Sequence, residues 1–258
     1  MAVLSILYFN IINYAFLINI LSAIIFILIG GILPLYERKK LSLIQRRVGP
    51  KFVGLDGRLQ FIVDAIKIFL KEYIFIFFTN KYYFLLLPII TLIVNLFFLI
   101  NFQWNNNVFF YDIELNILYL TTLTSISNIL IFLSGYVCKN KYTLITSNRT
   151  IVVFFINELV LNIIVLILVW FSKSYSLSNY IVFKNFEFGI TWWLVLLPIL
   201  IYFILIEINK VPFDFQEAES ELIMGYTNEY VGFLFGVYVL IEYLHIFIYS
   251  YLFFVLIM

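Results

Sequence analysis

The chain has 258 residues, 64% hydrophobic and only 12% charged, with a mean hydropathy of +1.05. A soluble domain carries about 25% charged residues, and a fold of this size cannot hide so much apolar surface from water, so the chain is an integral membrane protein. A net charge of +1 gives no argument for nucleic-acid binding; one cysteine, Cys138, excludes a disulfide framework; one histidine, His245, removes most metal and haem schemes.

The expected architecture is all-α, a single polytopic membrane domain over 1–258 with about six transmembrane helices and one amphipathic interfacial helix. The first 36 residues carry no charge and lack the basic start and small-residue cleavage site of a signal peptide, so they read as a retained anchor. That first span, about 3–36, exceeds the roughly 20 residues a bilayer needs, and Gly30, Gly31 and Pro34 are expected to loosen its end. A basic loop follows, with Arg38, Lys39, Lys40, Arg46, Arg47, Lys51 and Arg58, and turn signals at Gly49-Pro50 and Asp56-Gly57. From about 59 to 76 the pattern becomes helical. Gln60, Asp64, Lys67 and Lys71 share one polar face opposite Leu59, Ile62, Val63, Ile66, Phe69 and Leu70, which predicts a helix lying in the membrane interface.

Further spans are expected at about 82–102 (with Pro88 inside), 115–137 (rich in Ser and Thr), 150–171 (with Glu158 partway along), 189–208 (ending at Glu207) and 230–258 (with Glu242 and His245 near its middle). No internal repeat is visible. Lys and Arg fall fourteen to two in favour of the side holding the first, third and fifth loops, which puts the N-terminus outside and those loops inside. The strong Phe, Ile, Tyr and Asn usage, with little Ala and Gly, has the cast of a biased organellar genome.

The acids are the functional signal. Five of the fifteen (Asp214, Glu217, Glu219, Glu221, Glu229) lie within Ile208–Tyr230, just after Glu207. Pro212 and Asp214 look like a helix start with Glu217 three residues on, placing Asp214, Glu217 and Glu221 on one face and Glu219 elsewhere. An ionisable side chain at membrane depth is costly and by default functional, which singles out Glu158 and Glu242, with Asp64 and Glu207 near the inner face. Clustered, desolvated carboxylates are the groups that exchange protons near neutral pH. The plainer readings are a solvated acidic face for the loop, pairing of Glu158 and Glu242 with basic partners, a simple anchor for the amphipathic helix, and packed interior roles for His245 and Cys138.

Three blocks of residues resemble a known family. Glu37-Arg38-Lys39, Gln45, Arg47, Gly49-Pro50, Val53-Gly54, Gly57, Leu59-Gln60, Asp64, Lys67 and Lys71-Glu72 form the first. Gly135, Lys139-Asn140-Lys141-Tyr142, Leu144, Arg149 and Glu158 form the second. Glu207, Asn209, Pro212-Phe213-Asp214, Glu217, Glu219-Ser220-Glu221-Leu222, Gly225, Glu229-Tyr230 and Glu242-Tyr243 form the third. In this order they resemble subunit 1 of respiratory NADH:ubiquinone oxidoreductase, complex I. The departures are modest: Lys210 for a usual Arg, Asn157 for an aromatic before Glu158, Ser42 and Leu55 for Gly and Pro, and Tyr136 and Cys138 for Trp and Ser. The family continues two spans past Glu242-Tyr243, so the expectation is either that those spans are dispensable here or, the favoured reading, that a separate chain supplies them as a partner.

The resemblance implies a subunit that anchors the peripheral arm and walls the chamber reached by the ubiquinone headgroup. Arg58, Gln60, Asp64 and Phe213 would border that chamber, with Arg46 and Arg47 at its lip or in contact with the peripheral arm. Glu158, Glu207, Asp214, Glu217, Glu219, Glu221 and Glu242 would form the proton path. No residue here would do bond-making chemistry on the quinone by itself. NADH, FMN and iron–sulfur clusters would belong to other subunits, as fits a single cysteine; ubiquinone would be the substrate, and lipid and the other membrane-arm and quinone-site subunits the partners. The implied location is the mitochondrial inner membrane, with a bacterial plasma membrane second. Two alternatives stay open: a purely structural arm-docking anchor, and a cation/proton transporter subunit, although the latter usually shows inverted repeats.

Overall fold

The computed structural model describes residues 2–72, 74, 79–100, 115–176, 190–210, 213–214 and 225–257, and every regular element among them is helical. Helix α1 runs Ala2–Ile44, 43 residues without a break at Pro34. The expected loosening there does not occur; the chain stays helical through the basic cluster Arg38–Lys40. Pro34 removes one backbone donor and crowds the carbonyl four residues back, and here that residue is Gly30, which has no side chain to resist the adjustment. The helix ends at Ile44. Arg46 takes the left-handed conformation (φ 54°), its N–H donates to Leu43 O at 3.2 Å, and Arg47 N–H donates to Ser42 O at 2.9 Å. That pairing satisfies terminal carbonyls as a C-cap glycine would.

Helix α2, Gln60–Leu70, is the expected interfacial helix. Its apolar side is the outward one: Ile62, Val63, Ile66, Phe69 and Leu70 are 42–79% exposed. Gln60, Phe61, Asp64, Ala65 and Ile68 are half-buried, and α2 packs on α1 and on the last helix, Phe233–Ile257, numbered α7 here. An apolar outer face suits a helix lying at a bilayer surface.

Helices α3 (Lys81–Ile100), α4 (Asn116–Val137), α5 (Lys141–Ser172) and α6 (Ile190–Glu207) complete the bundle. Among the described residues five helices are long and apolar enough to cross a membrane, and the Leu197–Glu207 part of α6 is a shorter apolar stretch. Helix α5 starts at Lys141, so most of the expected third loop is helix. The Thr143, Thr146, Ser147 and Thr150 side chains there are fully buried and bond back to carbonyls of their own turn. Small residues make this possible: a Cβ on Gly135 of α4 would lie 3.1 Å from Ser147 Cβ and 3.2 Å from Tyr226 Cβ. Small residues at helix crossings are the usual device for close packing in a bilayer.

Helix α7 is the central post. It contacts α1, α2, α3 and α6, and Tyr238, Ile241 and Leu244 along it are completely buried. One apolar cluster joins Phe98, Leu120, Val165, Leu200, Leu244 and Ile248. A second, nearer the loop side, joins Phe84, Ile131, Tyr226, Tyr230 and Tyr238, with Phe84 stacked on Tyr230 at 4.3 Å.

Candidate functional site

Polar groups inside this bundle fall at two levels. At the level of the first loop, Glu37 of α1 meets the segment after α6: Lys210 Nζ is 3.3 Å from Glu37 Oε1, and Tyr243 of α7 donates its hydroxyl to Glu37 Oε2 at 2.7 Å. The Lys210 ammonium also sits over the Tyr243 ring, 5.1 Å from its centre. Beside them Arg38 pairs with Asp64 of α2 at 3.0 Å, and Gln60 Nε2 donates to the other Asp64 oxygen at 3.0 Å. These bonds put the first loop, the amphipathic helix and the segment after α6 side by side.

Between α1, α2 and α7 lies an apolar cleft of about 180 Å³. Gly30, Phe61, Ala65, Ile68 and Leu240 line it, with Arg38 and Asp64 at its polar edge. The close approach of α2 to α7 depends on Gly232 and Gly236. Gly232 has φ +66° and a Cβ there would be 3.0 Å from Lys71 O; one on Gly236 would be 2.9 Å from Ile68 Cγ2.

Deeper in the bundle, Glu207 at the end of α6 is completely buried. Three donors from three helices hold its carboxylate: Asn157 Nδ2 at 2.6 Å, Tyr249 OH at 2.8 Å and Asn128 Nδ2 at 3.2 Å. Asn128 Nδ2 also donates to Glu158 Oε1 at 3.0 Å, so one amide of α4 joins two carboxylates of α5 and α6. No Lys or Arg pairs with either acid among the described residues. A buried acid is costly unless hydrogen-bonded, and here amides and a phenol meet that demand. Helix α7 carries a further acid, Glu242, which accepts the Tyr226 hydroxyl at 3.0 Å.

The three motif blocks therefore converge. The first meets the third at Glu37–Lys210 and Glu37–Tyr243, the second meets the third where Asn140 donates to Glu229, and Glu158 meets Glu207 through Asn128. Of the individual residues, Gln60, Asp64, Glu158, Glu207 and Glu242 take part in these bonds. Phe213 is half-buried with its ring edge-on to Tyr202 at 4.9 Å, and Asp214 beside it is half-buried. Arg46, Arg47 and Arg58 are exposed at the first loop, away from the cleft lining. Glu217, Glu219 and Glu221 lie outside the described residues.

Asn128, Tyr249 and Tyr226 carry the acid network, and nothing in the sequence pattern singles them out. Asn157 stands out in the sequence only as a departure from a motif, yet makes the shortest bond to Glu207. His245 is packed, as its surroundings suggested, and bonds Asn95 of α3 at 3.2 Å. Cys138 is a small interior residue: its thiol donates to Ser134 O at 3.3 Å, and burial pushes it up to about 12.

Fold and site together define a polytopic membrane protein organised around buried carboxylates. Residues 17–258 match the family model described as NADH dehydrogenase. NADH-ubiquinone oxidoreductase chain 1 of Paramecium tetraurelia is 37% identical over 232 residues, 90% of this chain and 89% of the relative. The Neurospora crassa protein of the same name is 35% identical, covering 80% of this chain and 56% of its own length. A bacterial relative, an NADH-quinone oxidoreductase subunit of Rickettsia prowazekii, is 34% identical, with 80% and 62% covered. The chain belongs to the NADH dehydrogenase family that these proteins represent; it spans nearly all of the Paramecium relative and under two thirds of the other two.

Proposed function

We propose that this chain is the membrane subunit of a proton-pumping NADH:ubiquinone oxidoreductase, forming part of the ubiquinone chamber and the entrance of the proton path. The observation that carries this reading is the buried Glu158–Asn128–Glu207 bridge, two acids without a basic partner among the described residues. A structural anchor needs no such pair, whereas a proton path needs carboxylates that stay solvated by protein groups in either state.

The apolar cleft between α1, α2 and α7 suits an isoprenoid tail arriving from the bilayer, and the Arg38–Asp64 pair with Gln60 stands where the tail gives way to a polar headgroup. Phe213 and Asp214 continue that wall inward, and the acids Asp214, Glu217, Glu219 and Glu221 belong to the proton path. Glu207, Glu158 and Glu242 carry protons away from it. The exposed Arg46, Arg47 and Arg58 present a basic surface for a peripheral partner. Other polypeptides of the complex hold NADH, FMN and the iron–sulfur clusters, and the complex sits in the mitochondrial inner membrane.

Glu207→Gln and Glu158→Gln test this reading. Each is expected to leave the complex assembled, as judged on native gels, while ubiquinone-coupled proton pumping falls about a hundredfold, the usual scale for losing a positioned proton carrier. Assembled complexes that pump at the normal rate would falsify it, and loss of assembly in both would favour the anchor.

A further inference from the structure

The three donors on Glu207 are of two chemical kinds. Asn128 and Asn157 present amide N–H groups, which donate and cannot accept, so no proton passes through them. The Tyr249 hydroxyl donates to Glu207 Oε2 at 2.8 Å and still has lone pairs that can take a proton. Asn128 thus holds Glu158 and Glu207 together while insulating them from each other.

A second route connects the same two acids. A small cavity of about 30 Å³ has both Glu158 and Tyr249 in its wall, with Thr121, Thr124, Ser125 and Asn162 as its other polar residues. An ordered water needs about 10–15 Å³ and two or more polar partners; the lining is mostly apolar, and the cavity has room for one water, for which Glu158 and Tyr249 are the candidate polar partners. The Tyr249 ring is fixed in place: it is 2% exposed and stands edge-on to His245 at 6.0 Å, and His245 is itself tied to Asn95 of α3.

We propose that Tyr249 is the proton carrier of Glu207, so that a proton moves between Glu158 and Glu207 through water in this cavity and the Tyr249 hydroxyl, not across Asn128. The inference rests on the proton-path reading above. In the forward step Glu158 gives its proton to the water, the water gives one to the Tyr249 oxygen, and the Tyr249 O–H delivers its own to Glu207 Oε2. One O–H bond breaks and one forms at the tyrosine, which ends as it began; Glu158 is left as carboxylate, Glu207 as acid, and nothing is oxidised or reduced. The residue before Glu158 is Asn157, which donates an amide to Glu207, and the hydroxyl at Glu207 comes from α7.

The experiment compares Tyr249→Phe, Asn157→Ala and Glu207→Gln in native membranes carrying the whole complex. Proton translocation and NADH:ubiquinone turnover are read per assembled complex, with NADH oxidation by a hydrophilic acceptor as the count of assembled enzyme. Tyr249→Phe is expected to match Glu207→Gln, a loss of about a hundredfold. Asn157→Ala removes a donor but no carrier, and its loss stays below about tenfold, the scale of one ordinary hydrogen bond. If Glu207→Gln stops pumping while Tyr249→Phe behaves like Asn157→Ala, the carrier role is overturned and the path stands. If Glu207→Gln pumps normally, the path itself fails. Where Tyr249→Phe does not assemble, Tyr249→His is compared with Tyr249→Met: imidazole also gives and takes protons, so only the histidine keeps measurable turnover, and equal loss in both overturns the proposal.

Discussion

Lys210 reaches Glu37 across 173 positions of sequence, with Nζ 3.3 Å from Oε1, and the Tyr243 hydroxyl shares the same carboxylate at 2.7 Å. The ion pair is well exposed on both sides, 40% and 39%, and a pair of that kind contributes only about 0–1 kcal/mol. Its value lies in register, since it fixes the segment after α6 against the first helix. Lys210→Arg is therefore expected to be neutral in assembled complex on native gels, and Lys210→Ala to cost less than about 1 kcal/mol. Lys210→Glu sets like charges together and is expected to reduce assembly visibly; full assembly of that variant would remove the registering role.

Gly236 sets the distance between α2 and α7. A Cβ there would sit 2.9 Å from Ile68 Cγ2, and a β-branched isoleucine has little freedom to swing aside. Gly236→Ala should push α2 outward and deform the cleft. The expected result is a KM for long-chain ubiquinone raised about tenfold, equivalent to about 1.4 kcal/mol of lost binding, with kcat less affected. The double variant Gly236→Ala/Ile68→Ala makes room for the new methyl and should recover most of the affinity. An unrecovered KM in the double variant contradicts the packing argument.

Gly57 closes the first loop. Its φ is +71°, and a Cβ would fall 2.2 Å from Pro50 O and 2.7 Å from Pro50 C, atoms of backbone that cannot swing away. The left-handed conformation alone costs a non-glycine residue about 1–2 kcal/mol. Gly57→Ala should therefore refold the loop. Limited proteolysis between Arg46 and Arg58 is expected to become faster, and the fraction of complexes retaining the peripheral arm to fall. Wild-type protease resistance in the alanine variant would show that the loop tolerates the change.

Much of the architecture is legible in the apolar runs, because spans of this length have few alternatives in a bilayer. The differences fall at polar ends. Pro34 and the cluster Arg38–Lys40 look like a stop, yet α1 continues to Ile44; Lys139–Arg149 looks like a loop, yet α5 starts at Lys141. Charge marks a boundary in sequence, while helices often project past the hydrocarbon. Within the site, Glu158, Glu207, Glu242 and Asp64 stand out because a carboxylate is rare in such runs. Asn128 and Tyr249 do not, since the chain has 19 tyrosines and is rich in asparagine, and nothing in a single sequence separates the few that face an acid from those that pack. Glu37 is visible only as a motif letter, without a hint that Lys210 and Tyr243 converge on it.

Helix α7 carries Tyr243, bonded to Glu37, and six residues deeper Tyr249, bonded to Glu207, a rise of about 9 Å. No proline or glycine falls between Val237 and Ile257, so the stretch has none of the usual places for a kink. The two tyrosines are thus fixed on one stiff shaft like two cams. Turning or sliding the upper cam, by any rearrangement around Glu37, displaces the lower one by the same rotation and travel, without a chain of intervening contacts to relay it.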